Sequence, residues 1–306
     1  MTSGMVVKQR KPGSKLHLKR TIVAYSFILP NFVGYMVLTF VPIILSFVYS
    51  LSEWNLGVTK TFVGISNFRY MLFEDLDFWQ VVWNTFYYTV GTVPICLILS
   101  LLLAILMNQS LRGKVFFRSV FFFPYVASLV AVAVVWMALF NPDKGPVNEV
   151  LRSLGMKNPP GWAGTAEWAM PTVIGLTIWK QAGYYMVVYL AALQGVPMEL
   201  YEAARMDGAN AFQRFTHVTW PMVTPTTFFV SMMLIIGTFK SYDIMYVTTQ
   251  GGPGTATKVL AYHIYNNAFV YMKFGYASAL SVFLFFVVLI ITLIQFRGEK
   301  RFTNYL

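Results

Sequence analysis

The sequence predicts an all-α integral membrane protein with six transmembrane helices and both termini on the cytoplasmic side. Three observations predict it. Hydrophobic residues make up 57% of the chain and charged residues only 11%, against about 25% charged in soluble domains. The charges gather in clusters and leave long apolar runs between them; unbroken runs select helices over the alternating strands of a barrel. Lys and Arg also favour alternate connections, which fixes orientation.

Residues 1–20 form a basic segment holding Lys8, Arg10, Lys11, Lys15, Lys19 and Arg20 without an acid. Spans follow at about 21–51, 82–107, 118–140, 169–193, 224–246 and 275–296, each meeting the roughly 18–20 residues that a crossing needs. The fourth contains Lys180, and the fifth Lys240 and Asp243. The first connection is acidic, with Glu53, Glu74, Asp75 and Asp77 against Lys60 and Arg69, whereas Arg112, Lys114 and Arg118 mark the second as cytoplasmic. Arg297, Lys300 and Arg301, at the start of and within the tail of residues 298–306, agree with an inward carboxyl terminus. The first apolar run is about twice the core of a signal peptide and is expected to stay as a helix.

The net charge of +11 is thus mostly a topology signal and does not call for nucleic acid. The lone Cys96 lies within a span, where packing is its expected role. No phosphate-binding G-x-x-x-x-G-K-[ST] or metal-binding H-E-x-x-H pattern occurs, and His17, His217 and His263 lie far apart. The chain is therefore expected to be no enzyme and to hold no metal or cofactor. Asp243 is the only acid within a span, which argues against a proton relay. Energy for uphill transport is expected from a partner.

Residues 197–221, PMELYEAARMDGANAFQRFTHVTWP, are a polar, patterned connection on the cytoplasmic side. Pro197 suits a first helical turn and Gly208 the left-handed position past a helix end. Leu200, Ala203 and Ala204 make a small apolar face, and Glu202 and Arg205 are spaced to pair. Asn210 and Gln213 read as the cap of a second short helix ahead of Pro221 and Pro225. The shape is a helix, a sharp turn and a helix, suited to the cleft of another protein.

The same residues carry a family resemblance. Glu202, Ala203, Ala204, Gly208, Val218 and Pro221 are similar to the EAA loop of the permease subunits of bacterial ATP-binding-cassette importers: E-A-A, three residues, G, nine residues, I-x-L-P. Val218 replaces isoleucine and Trp220 leucine. The wording ELYEAARMDGA, with Gly251–Gly254 and the aromatic run 261–270, resembles the carbohydrate permeases of the maltose and glycerol-phosphate type, over about residues 21–297. The resemblance implies an ATPase-coupling role for Glu202, Ala203, Ala204, Asp207, Gly208 and Pro221. It implies a second, related permease, an ATPase dimer and an extracytoplasmic solute-binding protein as partners, in a bacterial inner membrane whose lipid surrounds the spans.

Thr177, Lys180, Gln181 and Tyr184 fall on one helical stripe of the fourth span, and Thr238, Ser241 and Tyr242 cluster in the fifth. Hydroxyls, amides and aromatic faces are what a sugar requires, so these are the candidate substrate contacts; the alternative is that the hydroxyls bond their own backbone. Lys240 and Asp243 are expected to pair with each other rather than meet substrate, and Lys180 would meet an anionic one. Gly251–Gly254 read as a turn rather than a gate. A lone secondary carrier, a membrane scaffold, and an importer of a non-sugar solute such as a phosphorylated polyol are the competing functions.

Overall fold

The computed structural model describes residues 14–55, 60–110 and 112–302; Lys8, Arg10 and Lys11 lie outside them. In order the elements are α1 (Ser14–Tyr35), a π turn, α2 (Val41–Ser50), the two-residue strands β1 (Ser52–Glu53) and β2 (Thr61–Phe62), α3 (Ser66–Phe73), α4 (Phe78–Asn108), α5 (Lys114–Val126), α6 (Leu129–Leu139), α7 (Pro146–Ser153), α8 (Ala166–Gln194), α9 (Met198–Met206), α10 (Ala211–Arg214), a second π turn, α11 (Trp220–Lys240), α12 (Asp243–Thr248), α13 (Leu260–Tyr265), a third π turn and α14 (Phe274–Phe302).

Four helices are long and apolar enough to cross a membrane: Leu18–Ser50, Phe78–Asn108, Ala211–Lys240 and Phe274–Gly298. A fifth is added if α5 and α6 count as one broken span, for they bend by 100° at their junction. The uninterrupted crossing expected at 118–140 is therefore corrected to two helices. Pro124 sits in the last turn of α5, and Ala127 turns extended at φ −62° and ψ 144°; a proline has no amide with which to continue the ladder. An apolar run does not reveal such a break, since both halves are equally apolar.

The fourth expected span falls on α8, 29 residues long but too polar to pass the same test. Its position explains why it needs less apolarity. It is wrapped by α4, α5 and α11 and buried along its whole length, from Ala169 to Leu193, so its polar groups meet protein rather than lipid. A Cβ on Gly183 would lie 1.8 Å from the carbonyl oxygen of Phe121; α5 and α8 cross with their backbones almost touching, which only a glycine permits. The core gathers Tyr88, Cys96, Met186, Tyr189 and Leu234 around this crossing.

The first span is the opposite case. None of its most apolar window is buried, and only α2 leans on α14, through Phe47 against Phe285 and Phe286. The fifth span ends earlier than expected: α11 stops at Lys240, Ser241 is extended, and α12 starts anew at Asp243.

Candidate functional site

At the α9 end of the bundle, residues 197–221 form one rigid element. Pro197 stands just ahead of the helix, as its N-cap, rather than in the first turn. Beyond Met206 the chain closes a Schellman turn: the Gly208 amide donates to Arg205 O at 3.0 Å and the Ala209 amide to Ala204 O at 2.9 Å. Gly208 holds φ at +78°, a region that residues with a Cβ avoid. Asn210 and Gln213 then form a reciprocal capping box at 2.9 and 2.8 Å. What they cap is no separate short helix, which corrects the expectation. The helix runs from Ala211 through the π turn Phe215–Thr219 to Lys240, because the Trp220 amide reaches back to Phe215 O and so carries the ladder past Pro221. Tyr201 pins α9 to this helix through Thr219, at 3.0 Å.

The sides of α9 differ in charge. Met198, Tyr201 and Arg205 line a cavity of about 640 Å³ against the end of α4, whereas Glu199, Glu202, Met206 and Asp207 are exposed. Arg205 lines the cavity while remaining exposed, and the expected Glu202–Arg205 ion pair does not form among the described residues. Ala203 is exposed and Ala204 half-buried. Leu200, Val218, Trp220 and Pro221 line a second, apolar hollow of about 540 Å³ beside α9.

Within the bundle, the stripe on α8 divides into three roles. Thr177 is buried; its hydroxyl donates to Val173 O at 2.8 Å and accepts from the Tyr88 hydroxyl at 3.0 Å. Lys180 has none of its donors free: Nζ lies 2.9, 3.2 and 2.7 Å from the carbonyl oxygens of Pro124, Tyr125 and Ala127. It ties off the backbone at the α5–α6 break, carbonyls that would otherwise lack partners at membrane depth, and is not placed as a free cation for an anionic substrate. Tyr184 stacks on Tyr125 with ring centroids 4.4 Å apart. Gln181 is half-buried and finds no hydrogen-bond partner among the described residues.

On the neighbouring helix α11, Thr238 is buried and donates to Ile235 O at 2.9 Å, the local bond that competes with a substrate role. Ser241 lies beside Tyr88 and donates to Asp243 Oδ1 at 3.3 Å. Tyr242 is exposed and stacks on Tyr265 at 5.1 Å. The expected Lys240–Asp243 pair does not form, because the helix ends between them and the i, i+3 spacing no longer applies. Sequence reasoning missed Tyr88, Tyr125 and Tyr265, whose partners lie far along the chain.

It also missed the lock at the opposite end. Asp75 accepts from His263 Nε2 at 2.9 Å and from the Tyr276 hydroxyl, and Asp77 pairs with Lys258 at 2.7 Å. Asn84 donates to Thr255 O and Lys258 O, at 2.7 and 3.1 Å. Burial works against the charge of Asp75, but the bonds from Tyr276 and His263 outweigh it and hold its carboxyl below the usual value. Burial lowers His263 despite the carboxylate, so a neutral imidazole donates its Nε2 proton. Gly251–Gly254 form a turn, with the Gly252 amide on Thr249 O at 3.0 Å and Thr257 Oγ1 on Gly252 O at 3.0 Å. Among the described residues no group of three or more His, Cys, Asp or Glu side chains is placed to hold a metal.

Residues 76–304 match the family model described as binding-protein-dependent transport system inner membrane component. The chain is 35% identical to the lactose transport system permease protein LacF of Rhizobium radiobacter, over 94% of this chain and 98% of that protein. It is 32% identical to the arabinooligosaccharides transport system permease protein AraP of Bacillus subtilis, over 94% and 91%. A chain of the bacterial alginate ABC transporter in complex with an alginate pentasaccharide-bound periplasmic protein superposes with a TM-score of 0.82 at 24% identity, covering 94% of this chain and 97% of that one; at that identity the likeness speaks for the fold. With a family match over most of its length and such relatives nearly end to end, this chain belongs to the binding-protein-dependent transport system inner membrane components.

Proposed function

We propose that the chain is one permease half of an ATP-driven, binding-protein-dependent importer for a sugar or oligosaccharide. Six crossings make up this half: the four apolar helices, the broken α5–α6 pair and the protein-wrapped α8. Both termini then lie in the cytoplasm, α9 projects inward, and the Asp75–His263 lock faces outward, where an extracytoplasmic binding protein docks. ATP is hydrolysed by separate partner subunits, and a second permease completes the pathway.

The observation that carries this reading is mechanical continuity. The exposed Glu199, Glu202 and Met206 side of α9 is joined by a fixed turn to a single helix that runs to Lys240, beside Ser241 and Tyr242. A displacement of α9 by an ATPase is thus delivered to the polar site as a rigid-body movement, the form that alternating access takes. Sugar selectivity fits the site's donors and rings: Gln181 offers an unengaged amide, while Tyr184 and Tyr242 offer faces. Lys180 is spent on the backbone, which favours a neutral solute over a phosphorylated one.

The test reverses the charge of Glu202. Glu202→Lys in the reconstituted importer is expected to abolish stimulated ATP hydrolysis and uptake while the chain still inserts. Normal uptake by that variant would sink the docking role of α9.

A further inference from the structure

The cavity of about 640 Å³ behind α9 is not part of the sugar pathway described above. Its walls are the carboxyl-terminal end of α4, with Asn108, Gln109 and Ser110, and the inward side of the 197–221 element, with Tyr201, Arg205 and Arg214. Two guanidinium groups line it, and no acid does among the described residues. None of the nearby acids Glu199, Glu202 and Asp207 lines it. Arg214 uses one nitrogen, Nη1, on Ala209 O at 2.8 Å. The Arg205 side chain, which is exposed, makes no hydrogen bond or ion pair among the described residues, although Glu202 lies three positions away. Amide and hydroxyl donors stand at the same wall: Asn108, Gln109 and Ser110 make no side-chain hydrogen bond there. Ligand cavities run from about 300 to 1,000 Å³, so this volume suits a phosphate with an organic substituent better than a bare ion.

We propose that this cavity binds a phosphate-bearing anion from the cytoplasmic side, with Arg205 and Arg214 holding the phosphate by paired N–H donors. Guanidinium geometry matches phosphate oxygens in this way. The phosphate belongs either to an intracellular hexose phosphate or to an anionic lipid headgroup of the inner leaflet. Bound there, it wedges between α4 and α9 and fixes the angle at which α9 leaves the membrane. That consequence rests on the coupling role proposed for α9; the binding itself does not.

The importer is purified with its accompanying subunits into nanodiscs, and the thermal midpoint of this chain is followed. In neutral phosphatidylcholine, glucose 6-phosphate at 100-fold excess over its Kd is expected to raise the midpoint by several degrees, and glucose at the same concentration is not. If instead only discs containing phosphatidylglycerol show the rise, the headgroup is the ligand. In either case Arg205→Gln with Arg214→Gln, and separately the cavity-filling Asn108→Phe, are expected to erase the ligand-induced shift whatever they do to the unliganded midpoint. No rise with either ligand, or an equal rise in both variants, overturns the proposal. The shift is expected to persist in Glu202→Lys, so failure of the docking role and failure of this site read out separately.

Discussion

At the end of the bundle away from α9, Asp75, His263, Tyr276, Asp77 and Lys258 tie the connection before α4 to that before α14, and the His263 and Asp75 side chains are only 5% and 11% exposed. At the other end α9 buries no residue at all and is fastened by its turns and by one side-chain bond, Tyr201 to Thr219. The first region is a platform whose side chains mostly bond one another, His263 Nδ1 being buried without a partner. The second, the lever of the proposed function, leaves its charged side chains exposed. Buried charges lose their hydration and demand partners within the chain, whereas exposed charges cost little and remain available; the contrast separates a surface that must hold still from one that must be moved.

The largest effect is expected from Asp75→Ala, which leaves His263 and Tyr276 with donors but no acceptor. Leaving buried neutral donors without an acceptor costs about 1–3 kcal/mol each, so a large fall in the thermal midpoint in detergent is expected. A fall no larger than that of an exposed change such as Glu74→Ala would show the lock to be dispensable. Midway through the bundle, Lys180→Met withdraws the ammonium from three carbonyls at the α5–α6 break, at about 1–3 kcal/mol. Lys180→Arg is expected to recover part of that stability, and identical midpoints for the two variants would remove the capping role.

Gly208→Val acts on the lever. A β-branched residue at φ +78° costs about 1–2 kcal/mol, enough to reduce the turned geometry about tenfold. Uptake is expected to fall steeply while the midpoint, governed by the core, barely moves. An equal loss of both would mean that α9 is structural rather than a lever.

The smallest effect is one of pH. His263 is lowered from 6.5, so the folded state favours its neutral form; that stability is complete above about pH 6.5 and is lost as pH falls from there towards the folded value. Asp75 is lowered from 3.8, and its contribution is lost only below that value. Between pH 7 and pH 5 the midpoint should therefore drop modestly, and His263→Gln should remove most of the slope. A midpoint that rises on acidification would contradict the assignment of a neutral His263.

The 197–221 segment was the most legible part of the chain because its structure is local. Gly208 and Asn210 with Gln213 set dihedral angles and caps through neighbours within a few residues, so their pattern can be read along the sequence. The expected Glu202–Arg205 pair does not form; Arg205 instead lines a cavity that the end of α4 helps to wall. The substrate stripe was half legible. Its residues do lie on one helix, but only the crossing of α5 over Gly183 brings carbonyls to Lys180 and the ring of Tyr125 to Tyr184.

By itself, then, the sequence determined the membrane class, the places where apolar helices run and the shape of the α9 turn, because hydrophobic runs and capping chemistry are set by neighbours in the chain. Tertiary structure alone decided that the third apolar run breaks at Ala127, that α8 can carry Lys180 because other helices surround it, and that Asp75 meets His263. Those outcomes depend on groups many residues apart competing for the same buried donors and acceptors, and spacing along the chain carries no record of that competition.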